Sequence, residues 1–503
     1  MATTAPAALP TQRHAPTVRE TLRSPRRLRT EVLAGLVVAL ALIPEAISFS
    51  IIAGVDPRVG LFASFTMAVT IAFVGGRPAM ISAATGAVAL VVAPLVRAHG
   101  LDFLVVTVLL AGVLQIAFGL LGVARLMRFV PRSVMVGFVN ALAILIFTAQ
   151  LPYLLGVPWL VYPLVAVAVA VIVLLPRLTT VVPAPLVAIT LVTAATVLLA
   201  LRVPTVGDQG ALPDSLPSLF VPHVPLTLET LRIVAPYALG VALVGILESL
   251  MTAKLVDEVT DTASDKTRET WGQGVANLVT GAFGGMGGCA MIGQTMINTK
   301  VSGARTRIST FLAGVFLLVL VVVLGDLVAI IPMAALVAVM IMVSVGTFDW
   351  HSIRPSTLRR MPLSATTIML ATVVVTVATH NLAYGVVVGV LVAMMFFTRR
   401  VAHFTEVVDV AQPDPGTRVY AVRGALFFAS SNDLVTQFDY AGDPPHVVID
   451  LSDSQIYDSS TVAALDSIER RYRQRGTDVE IVGLNAASRA WHTRLSGQLG
   501  AGA

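Results

Sequence analysis

Long apolar runs of about 20 residues recur between residues 32 and 398, and each is long enough to cross a bilayer as a helix. Of all residues, 56% are hydrophobic and only 13% are charged. This composition excludes an ordinary soluble protein. It predicts an α-helical membrane protein that crosses the bilayer many times.

We expect about fourteen membrane segments in two sets of seven. The first set is predicted at 32–53, 58–75, 79–97, 102–124, 133–155, 157–176 and 181–201. The second set is predicted at 233–255, 271–287, 289–298, 306–325, 327–347, 364–380 and 382–398. The transmembrane transport domain therefore covers residues 31–400, with repeats at 31–201 and 233–398.

Basic residues flank the apolar region at both ends. Residues 1–30 form a basic N-terminal segment, and Arg399 and Arg400 follow the last run. Because basic flanks stay in the cytoplasm, both termini are expected there, with the apolar segments in the lipid bilayer. No short apolar core with a cleavage site precedes residue 32, so no cleaved signal peptide is expected.

Two glutamates lie alone inside apolar segments, at corresponding places in the two sets. Glu45 follows Pro44 in the first segment, and Glu248 precedes Ser249 in the eighth. A carboxylate near the middle of a spanning helix costs about 2.5–3.5 kcal/mol on insertion scales. A chain normally carries that cost only where the group faces water, a partner or a substrate. The pair predicts a transport site built from two related halves.

The third and tenth segments share a second pattern. Residues 75–86 and 287–295 both contain Gly-Gly and then Ala-Met-Ile, followed by small or polar residues. Seven segments per repeat reverse the direction of the second copy, which gives an inverted repeat. Short, interrupted segments at corresponding places predict the binding site, where half-helices aim N–H groups at an anion. The candidate substrate-binding residues are Ser82, Ala83, Ala84, Thr85, Gly293, Gln294 and Thr295.

Each assignment has an alternative. Glu248 could reach the surface and pair with Lys254. Glu45 could be a polar residue satisfied by neighbouring helices, and Pro44 before it is expected to kink or break the helix. The small residues also permit close helix packing. Thr252, one turn after Glu248, either completes the substrate site or bonds back to its own helix.

The composition changes after Val401, where charges and turn signals return. Strands are predicted at 419–422, 425–428, 447–451 and 479–482, with a helix at 459–473. This order predicts a small α/β domain of roughly 80 residues.

Several motifs, in the same order, resemble those of the SulP anion permeases, a family that includes the prestin-like anion transporters. The transmembrane motifs are residues 44–48, 53–64, 131–138, 272–277 and 298–306. Residues 424–429 and 458–460 resemble the cytosolic STAS domain of that family, expected here at 415–495.

The resemblance implies a uracil-permease-type fold. A core of segments one to four and eight to eleven would move against a gate of segments five to seven and twelve to fourteen. It also implies a homodimer, a substrate between the third and tenth half-helices, and a candidate cytosolic protein partner of the STAS domain. Ser459 and Ser460 match positions that are phosphorylated in related soluble domains, with a helix N-cap by Asp458 or Ser459 as the alternative.

The chain departs from the family at two positions. Family members often have Gln in place of Glu45, and many have Arg in place of Gln294. The missing cation and the added carboxylate weaken the attraction for chloride or sulfate, and a proton that enters with the anion offsets both effects. Glu248 and Glu45 are therefore the predicted proton-coupling residues.

We expect a secondary active transporter, not an enzyme, that imports a small anion by proton-coupled symport. A carboxylate such as fumarate or succinate is the first expectation; a bicarbonate or sulfate transporter and an anion channel or exchanger are the alternatives. A nucleobase symporter would share the fold, and a membrane-anchored scaffold would transport nothing.

Cofactors and nucleic acid are not expected. The chain has one cysteine, Cys289, and its eight histidines lack metal-ligand spacing, so no metal site is predicted. A Gly-rich phosphate loop is absent from the sequence. The basic residues flank membrane segments instead of forming a soluble face, so nucleic-acid binding is not predicted.

Overall fold

The computed structural model describes residues 16–125, 130–178, 183–213, 215–225, 227–402, 406–410 and 416–498. The chain divides into two compact units near Val390. The first unit is almost entirely helical, and the second combines a sheet with helices.

The helices of the first half are α1 (Val18–Leu22), α2 (Pro25–Ala53), α3 (Pro57–Val74), α4 (Gly86–Leu120), α5 (Arg132–Thr148), α6 (Val161–Leu174) and α7 (Ala184–Leu198). Those of the second half are α8 (Leu228–Thr260), α9 (Lys266–Ala282), α10 (Ile292–Met296), α11 (Arg307–Val323), α12 (Gly325–Ala329), α13 (Met333–Thr347), α14 (Pro355–Arg360), α15 (Leu363–Thr379) and α16 (Leu382–Ala402). A π-helical turn, Ile297–Val301, continues α10.

The order of these elements is consistent with the fourteen predicted segments. Among the described residues, six helices are long and apolar enough to cross a membrane, and five shorter helices are also apolar. Helix α4 contains two predicted segments, because Gly100 has a φ of +81° and breaks the helical path. Of the kink or break expected at Pro44, the break is wrong, because α2 continues through Pro44 to Ala53; the Ser48 hydroxyl donates a hydrogen bond of 2.8 Å to the Pro44 carbonyl.

Several predicted boundaries are wrong where polar residues continue a helix or a proline ends one. Helix α9 begins at Lys266 instead of 271, because Asp265 caps a polar first turn by accepting a hydrogen bond from the Arg268 N–H (2.9 Å). The predicted segment 327–347 is divided between α12 and α13, and Pro332 lies immediately before α13.

Two short strands cross within the first unit, and each lies immediately before a half-helix. These half-helices are the first part of α4 and the short helix α10. Strand β1 (Ser82–Ala83) pairs antiparallel with β2 (Cys289–Ala290), with Ser82 opposite Ala290 and Ala83 opposite Cys289. Thr85 is the N-cap of α4, and Met291 is the N-cap of α10.

This register corrects the predicted match between the two Ala-Met-Ile stretches. Residues 79–81 precede β1, whereas residues 290–292 run from β2 into α10. Ser82 and Cys289 are each the first residue of their strand, and Ala83 and Ala290 are each the second. The shared Ala-Met-Ile letters therefore do not mark equivalent positions in the two repeats.

Glycines let the backbones around the strands approach closely. A Cβ on Gly112 of α4 would lie 2.8 Å from the Gly274 carbonyl oxygen of α9, and a Cβ on Gly274 would lie 2.6 Å from the Gly112 oxygen. The two helices are therefore in backbone contact, as small residues permit in membrane proteins. This packing fixes the scaffold behind β1 and β2.

The second unit contains one sheet in the order β3-β4-β5-β6. Its elements are β3 (Glu406–Val410), β4 (Thr417–Leu426), α17 (Phe428–Thr436), β5 (His446–Ile456), α18 (Ser459–Arg473), β6 (Asp478–Val482) and α19 (Ala486–Leu495). Strand β3 is antiparallel to β4, while β4, β5 and β6 are parallel. The predicted helix 459–473 is confirmed. The two strands predicted at 419–422 and 425–428 are one strand with a register shift between Ala421 and Arg423, and the predicted end is wrong because β4 ends at Leu426 and Phe428 begins α17.

A buried carboxylate, Asp443, anchors the second unit. It accepts hydrogen bonds from the hydroxyls of Tyr420 (2.9 Å) and Tyr472 (2.5 Å), and its side chain is only 1% exposed. Burial and the hydrogen bond to Asp443 raise the pKa of both tyrosines. Both phenols therefore remain neutral donors wherever the unit is folded.

Candidate functional site

A cavity of about 410 Å³ lies where the two half-helices begin. Helices α2 and α8 and the starts of α4 and α10 form one side, and α5 and α13 form the other. Its lining residues are Glu45, Phe49, Thr85, Gly86, Ala87, Phe138, Val139, Leu142, Ile146, Glu248, Met291, Ile292, Gly293, Gln294, Ile297, Val343, Gly346 and Thr347. The cavity therefore lies between helices that the family resemblance assigns to the core and to the gate.

Both half-helices present the N-terminal end of a helix to the cavity. No side chain caps α10. The first N–H group of α10 that bonds within the helix is that of Thr295, which donates to the Met291 carbonyl (3.1 Å). In α4 the Thr85 hydroxyl accepts a hydrogen bond from the Val88 N–H (3.4 Å). The N–H groups of Gly86 and Ala87, in the same first turn, are then left to bind a ligand. Two partial positive charges therefore face the same space, an arrangement suited to an anion.

Glu45 lies in this cavity and contacts the opposite half-helix. The Gln294 side-chain amide donates a hydrogen bond of 2.6 Å to its carboxylate. Gln294 is 3% exposed, whereas Glu45 is half-buried because it faces the cavity. The contact joins α2 in the first half of the chain to α10 in the second.

Glu248 also lines the cavity, and it is 7% exposed. The Cys289 thiol donates a hydrogen bond of 3.0 Å to its carboxylate, and the same sulfur lies 3.2 Å from the Thr85 hydroxyl oxygen. Lys254 is exposed, and no salt bridge joins it to Glu248 in the described residues. The alternative in which Glu248 reaches the surface is therefore wrong.

The cavity is lined by acidic side chains. Its described lining includes two carboxylates but no Lys, Arg or His side chain. Ionised carboxylates repel an anion, and an unpaired buried charge is costly in a membrane. Within the described lining, the N-terminal ends of α4 and α10 are therefore the source of positive electrostatic potential.

Five predicted substrate-binding residues do not line the cavity. The Ser82 hydroxyl accepts a hydrogen bond from the Gln273 amide (2.7 Å), and that of Thr295 accepts one from the Ile81 N–H (3.0 Å). Ala83 and Ala84 are buried at the strand crossing, where the Ala84 N–H bonds to Ser64. The Thr252 hydroxyl donates to the Glu248 carbonyl (2.8 Å), which is the local alternative.

Polar side chains that we did not predict hold the strand crossing. Asn277 of α9 bonds through both ends of its amide to the backbone of Gly288, at 2.9 and 3.0 Å. The Ser249 hydroxyl accepts a hydrogen bond from the Ala290 N–H (3.1 Å). Gln273 and Asn277 belong to the motif at 272–277, so the family resemblance contained the signal but did not reveal the contacts.

The family resemblance assigned α5 and α13 to the gate, but the residues with which they line the cavity were not predicted. Phe138 and Leu142 of α5 and Gly346 and Thr347 of α13 face the half-helices across the cavity. These residues are apolar or small members of apolar helices, so no pattern distinguishes them from lipid-facing neighbours.

In the second unit, Asp458 is the N-cap of α18 and accepts a hydrogen bond from the Thr461 N–H (3.2 Å). Ser459 and Ser460 are exposed on the first turn. Asp458, not Ser459, therefore supplies the N-cap of this helix.

Comparison with known proteins decides the family. The model of the sulfate permease family matches residues 28–162 and 159–372, and the STAS domain model matches residues 410–495. The chain belongs to the sulfate permease family. It is a multi-pass membrane transporter of anions with a C-terminal STAS domain, and not an enzyme.

Two solved structures and one sequence relative support this assignment. The "Putative sulfate transporter YbaR" of Bacillus subtilis is 53% identical over 463 residues, which cover 92% of this permease and 96% of that protein. The transmembrane domain of the cyanobacterial bicarbonate transporter BicA has 26% identity and a TM-score of 0.64, covering 71% of this chain and 97% of that one. The murine anion transporter Slc26a9 in the inward-facing state has a TM-score of 0.78 at 17% identity, with 93% and 87% covered, and shows the same fold.

Proposed function

We propose that this permease imports a small oxyanion together with protons. One observation carries the proposal: Glu45 and Glu248 line the same cavity as the N-terminal ends of α4 and α10, with no basic side chain among the described lining residues. An anion next to two ionised carboxylates is strongly disfavoured, and each proton bound by a carboxylate removes one repulsive charge.

Sulfate is the first substrate to test, because the 53% identical relative carries a sulfate transporter name. Bicarbonate is the second, because the transmembrane domain of BicA shares the fold at 26% identity. The names of these relatives do not support fumarate or succinate, which enter the test as comparison substrates.

Alternating access is the proposed movement. The half-helices and both glutamates would move as one body against α5 and α13, which form the opposite wall. The apolar side chains of that wall would close over the anion and exclude water, as the gate of a transporter requires.

The test is uptake of labelled sulfate into proteoliposomes with an imposed, inside-alkaline pH gradient. A gradient of one pH unit can drive about tenfold accumulation for each coupled proton. We expect Glu248→Gln to remove the sulfate accumulation that the pH gradient drives, because the amide cannot take up a proton.

Glu229→Gln is the matched control, because Glu229 is an exposed carboxylate in the first turn of the same helix. It should retain proton-driven uptake. Unchanged proton-driven uptake by Glu248→Gln would refute the coupling, and uptake without saturation would indicate a channel.

The remaining predictions are part of this proposal. Both termini are expected in the cytoplasm of a bacterial inner membrane, which reporter fusions at each end would test. A homodimer is expected, and the mass of the detergent-solubilised protein would test it. The STAS partner and phosphorylation of Ser459 or Ser460 stay predictions.

A further inference from the structure

Cys289 lies between the two functional groups of the cavity. Its sulfur is 3.0 Å from the Glu248 carboxylate and 3.2 Å from the Thr85 hydroxyl oxygen. All three side chains are nearly or fully buried, and the backbone of Cys289 is paired with Ala83. The three groups form a continuous chain from a proton-binding residue on α8 to the N-cap of α4.

The number of hydrogens restricts how this chain can bond. A thiol and a hydroxyl each carry one hydrogen, and an ionised carboxylate can only accept. When Glu248 is ionised, the thiol hydrogen therefore points to Glu248. The sulfur then accepts the hydrogen of Thr85, so this hydrogen is directed away from the cavity.

Protonation of Glu248 allows the order of donors to reverse. The carboxylic acid then has a hydrogen that can be donated to the sulfur of Cys289. In this order the thiol hydrogen turns to the Thr85 oxygen, and the Thr85 hydrogen is released to point into the cavity. No covalent bond changes in this step except the one proton gained by Glu248.

We propose that Cys289 is a positioning residue that links proton binding at Glu248 to anion binding at Thr85. With Glu248 protonated, the Thr85 hydroxyl donates to the anion next to the N–H groups of Gly86 and Ala87, which line the same cavity. The inference rests on the proposed proton coupling. It adds to that proposal the residue Cys289, its sulfur atom as the link, and a direction of coupling from Glu248 to Thr85.

In the described part of the protein, no other titratable side chain is hydrogen-bonded to these three side chains. Among the described residues, the cavity lining adds only Glu45, whose carboxylate is bonded to Gln294. The elements packed on Glu248's helix carry charged or titratable groups outside the lining: Arg97, His99 and Asp102 on α4, Lys266, Arg268 and Glu269 on α9, and Lys300 on the π-helical turn. Helix α8 itself carries Glu229, Arg232, Tyr237, Lys254, Asp257 and Glu258, also outside it.

The test is the KM for sulfate at acid and alkaline pH, measured on the full-length protein in proteoliposomes. A hydrogen bond to a charged group changes affinity by about 10- to 100-fold. Thr85→Val should therefore raise the KM about tenfold at acid pH and leave it unchanged at alkaline pH. Thr85→Ser keeps the hydroxyl and should behave like the wild type.

Cys289→Ala should act at the opposite end of the pH range. Without the sulfur, the Thr85 hydrogen is free to turn into the cavity at any pH. The KM at alkaline pH should fall about tenfold, while the KM at acid pH stays the same. Cys289→Ser restores a group that both donates and accepts, so it should restore the wild-type pH profile.

The double variant distinguishes this chain from a direct effect of the thiol on Glu248. In a Thr85→Val background, Cys289→Ala should have no further effect on the KM. A persisting effect, or equal changes at both pH values in the single variants, would overturn the inference. Thr107→Val is the control, since the buried Thr107 hydroxyl bonds only to its own helix, at Phe103 (2.8 Å).

The proposed function fails in a different way. If the wild-type KM does not depend on pH and Glu248→Gln retains proton-driven uptake, the coupling itself is absent. If the wild type is coupled and Thr85→Val or Cys289→Ala leaves the profile unchanged, only the role of Cys289 is refuted.

Discussion

Gly288→Ala tests whether the strand crossing positions the site. A Cβ at Gly288 would lie 2.0 Å from the Ala83 carbonyl oxygen, whereas ordinary contacts begin at 3.4 Å, so β1 and β2 would have to separate by about 1.4 Å. The obstructing atoms belong to the backbone, so no side-chain rotation can relieve the contact. The two hydrogen bonds between Asn277 and Gly288, one donated by the Asn277 amide and one by the Gly288 N–H, would also be disturbed.

The expected loss of stability is about 3 kcal/mol or more. Overpacking contributes about 1–3 kcal/mol. Each buried backbone group that loses its partner adds about 1–3 kcal/mol. Because the N-caps Thr85 and Met291 follow the strands within two residues, the half-helix ends move as well. A misplacement of about 1 Å can reduce a rate roughly 100-fold.

The assay combines thermal unfolding in detergent with sulfate flux in proteoliposomes. Gly293→Ala is the matched control, because a Cβ at Gly293 has no atom within 4 Å although the residue lines the same cavity. We expect Gly288→Ala to lower the midpoint temperature of thermal unfolding and to abolish sulfate flux. Gly293→Ala should keep the wild-type midpoint temperature. A Gly288→Ala variant with wild-type midpoint and flux would show that the crossing does not position the site.

Four further predictions follow from single contacts. Gln294→Arg replaces the amide that lies 2.6 Å from the Glu45 carboxylate with a cation, and should make sulfate uptake less dependent on the pH gradient, measured by flux at alkaline pH. Glu31→Ala removes the acceptor for the N–H groups of Arg305, Thr306 and Ser309, and should lower stability by about 1–3 kcal/mol, measured by thermal unfolding. Tyr472→Phe removes a donor from the buried Asp443, and should destabilise a soluble fragment of residues 406–503 by about 1.5–3 kcal/mol in a urea titration. Because the pKa values of Tyr420 and Tyr472 are raised in the folded state, their contribution should be complete below about pH 10 and decrease as the pH rises further, as melting at pH 8–11 would show.

The location of the site could be predicted from the sequence because the two glutamates contrast with their surroundings. An ionisable residue in an apolar segment is informative without any knowledge of the fold. The half-helices were predicted for a related reason, since glycines and small polar residues interrupted otherwise apolar segments. Glu45, Thr85, Glu248, Gly293 and Gln294 all line the cavity.

The finer assignments could not be predicted, because they depend on contacts between distant parts of the chain. Whether Thr85 or Ser82 faces the cavity is decided by the pairing of β1 with β2, which joins residues far apart in sequence. Thr252 has the right spacing from Glu248, but its hydroxyl bonds to its own helix. Cys289 was considered only in the argument against a metal site, because its neighbours Glu248 and Thr85 come together only in the folded protein.

The pairing of Ala83 with Cys289 also has a consequence for biosynthesis. A ribosome adds about 5–20 residues per second, so tens of seconds or less separate the emergence of the first strand from that of its partner. During that interval the backbone of β1 lacks its native partner inside or beside the membrane, where unsatisfied N–H and C=O groups are costly. We expect the first repeat to insert early but to complete its anion-binding half only after the second repeat has been translated.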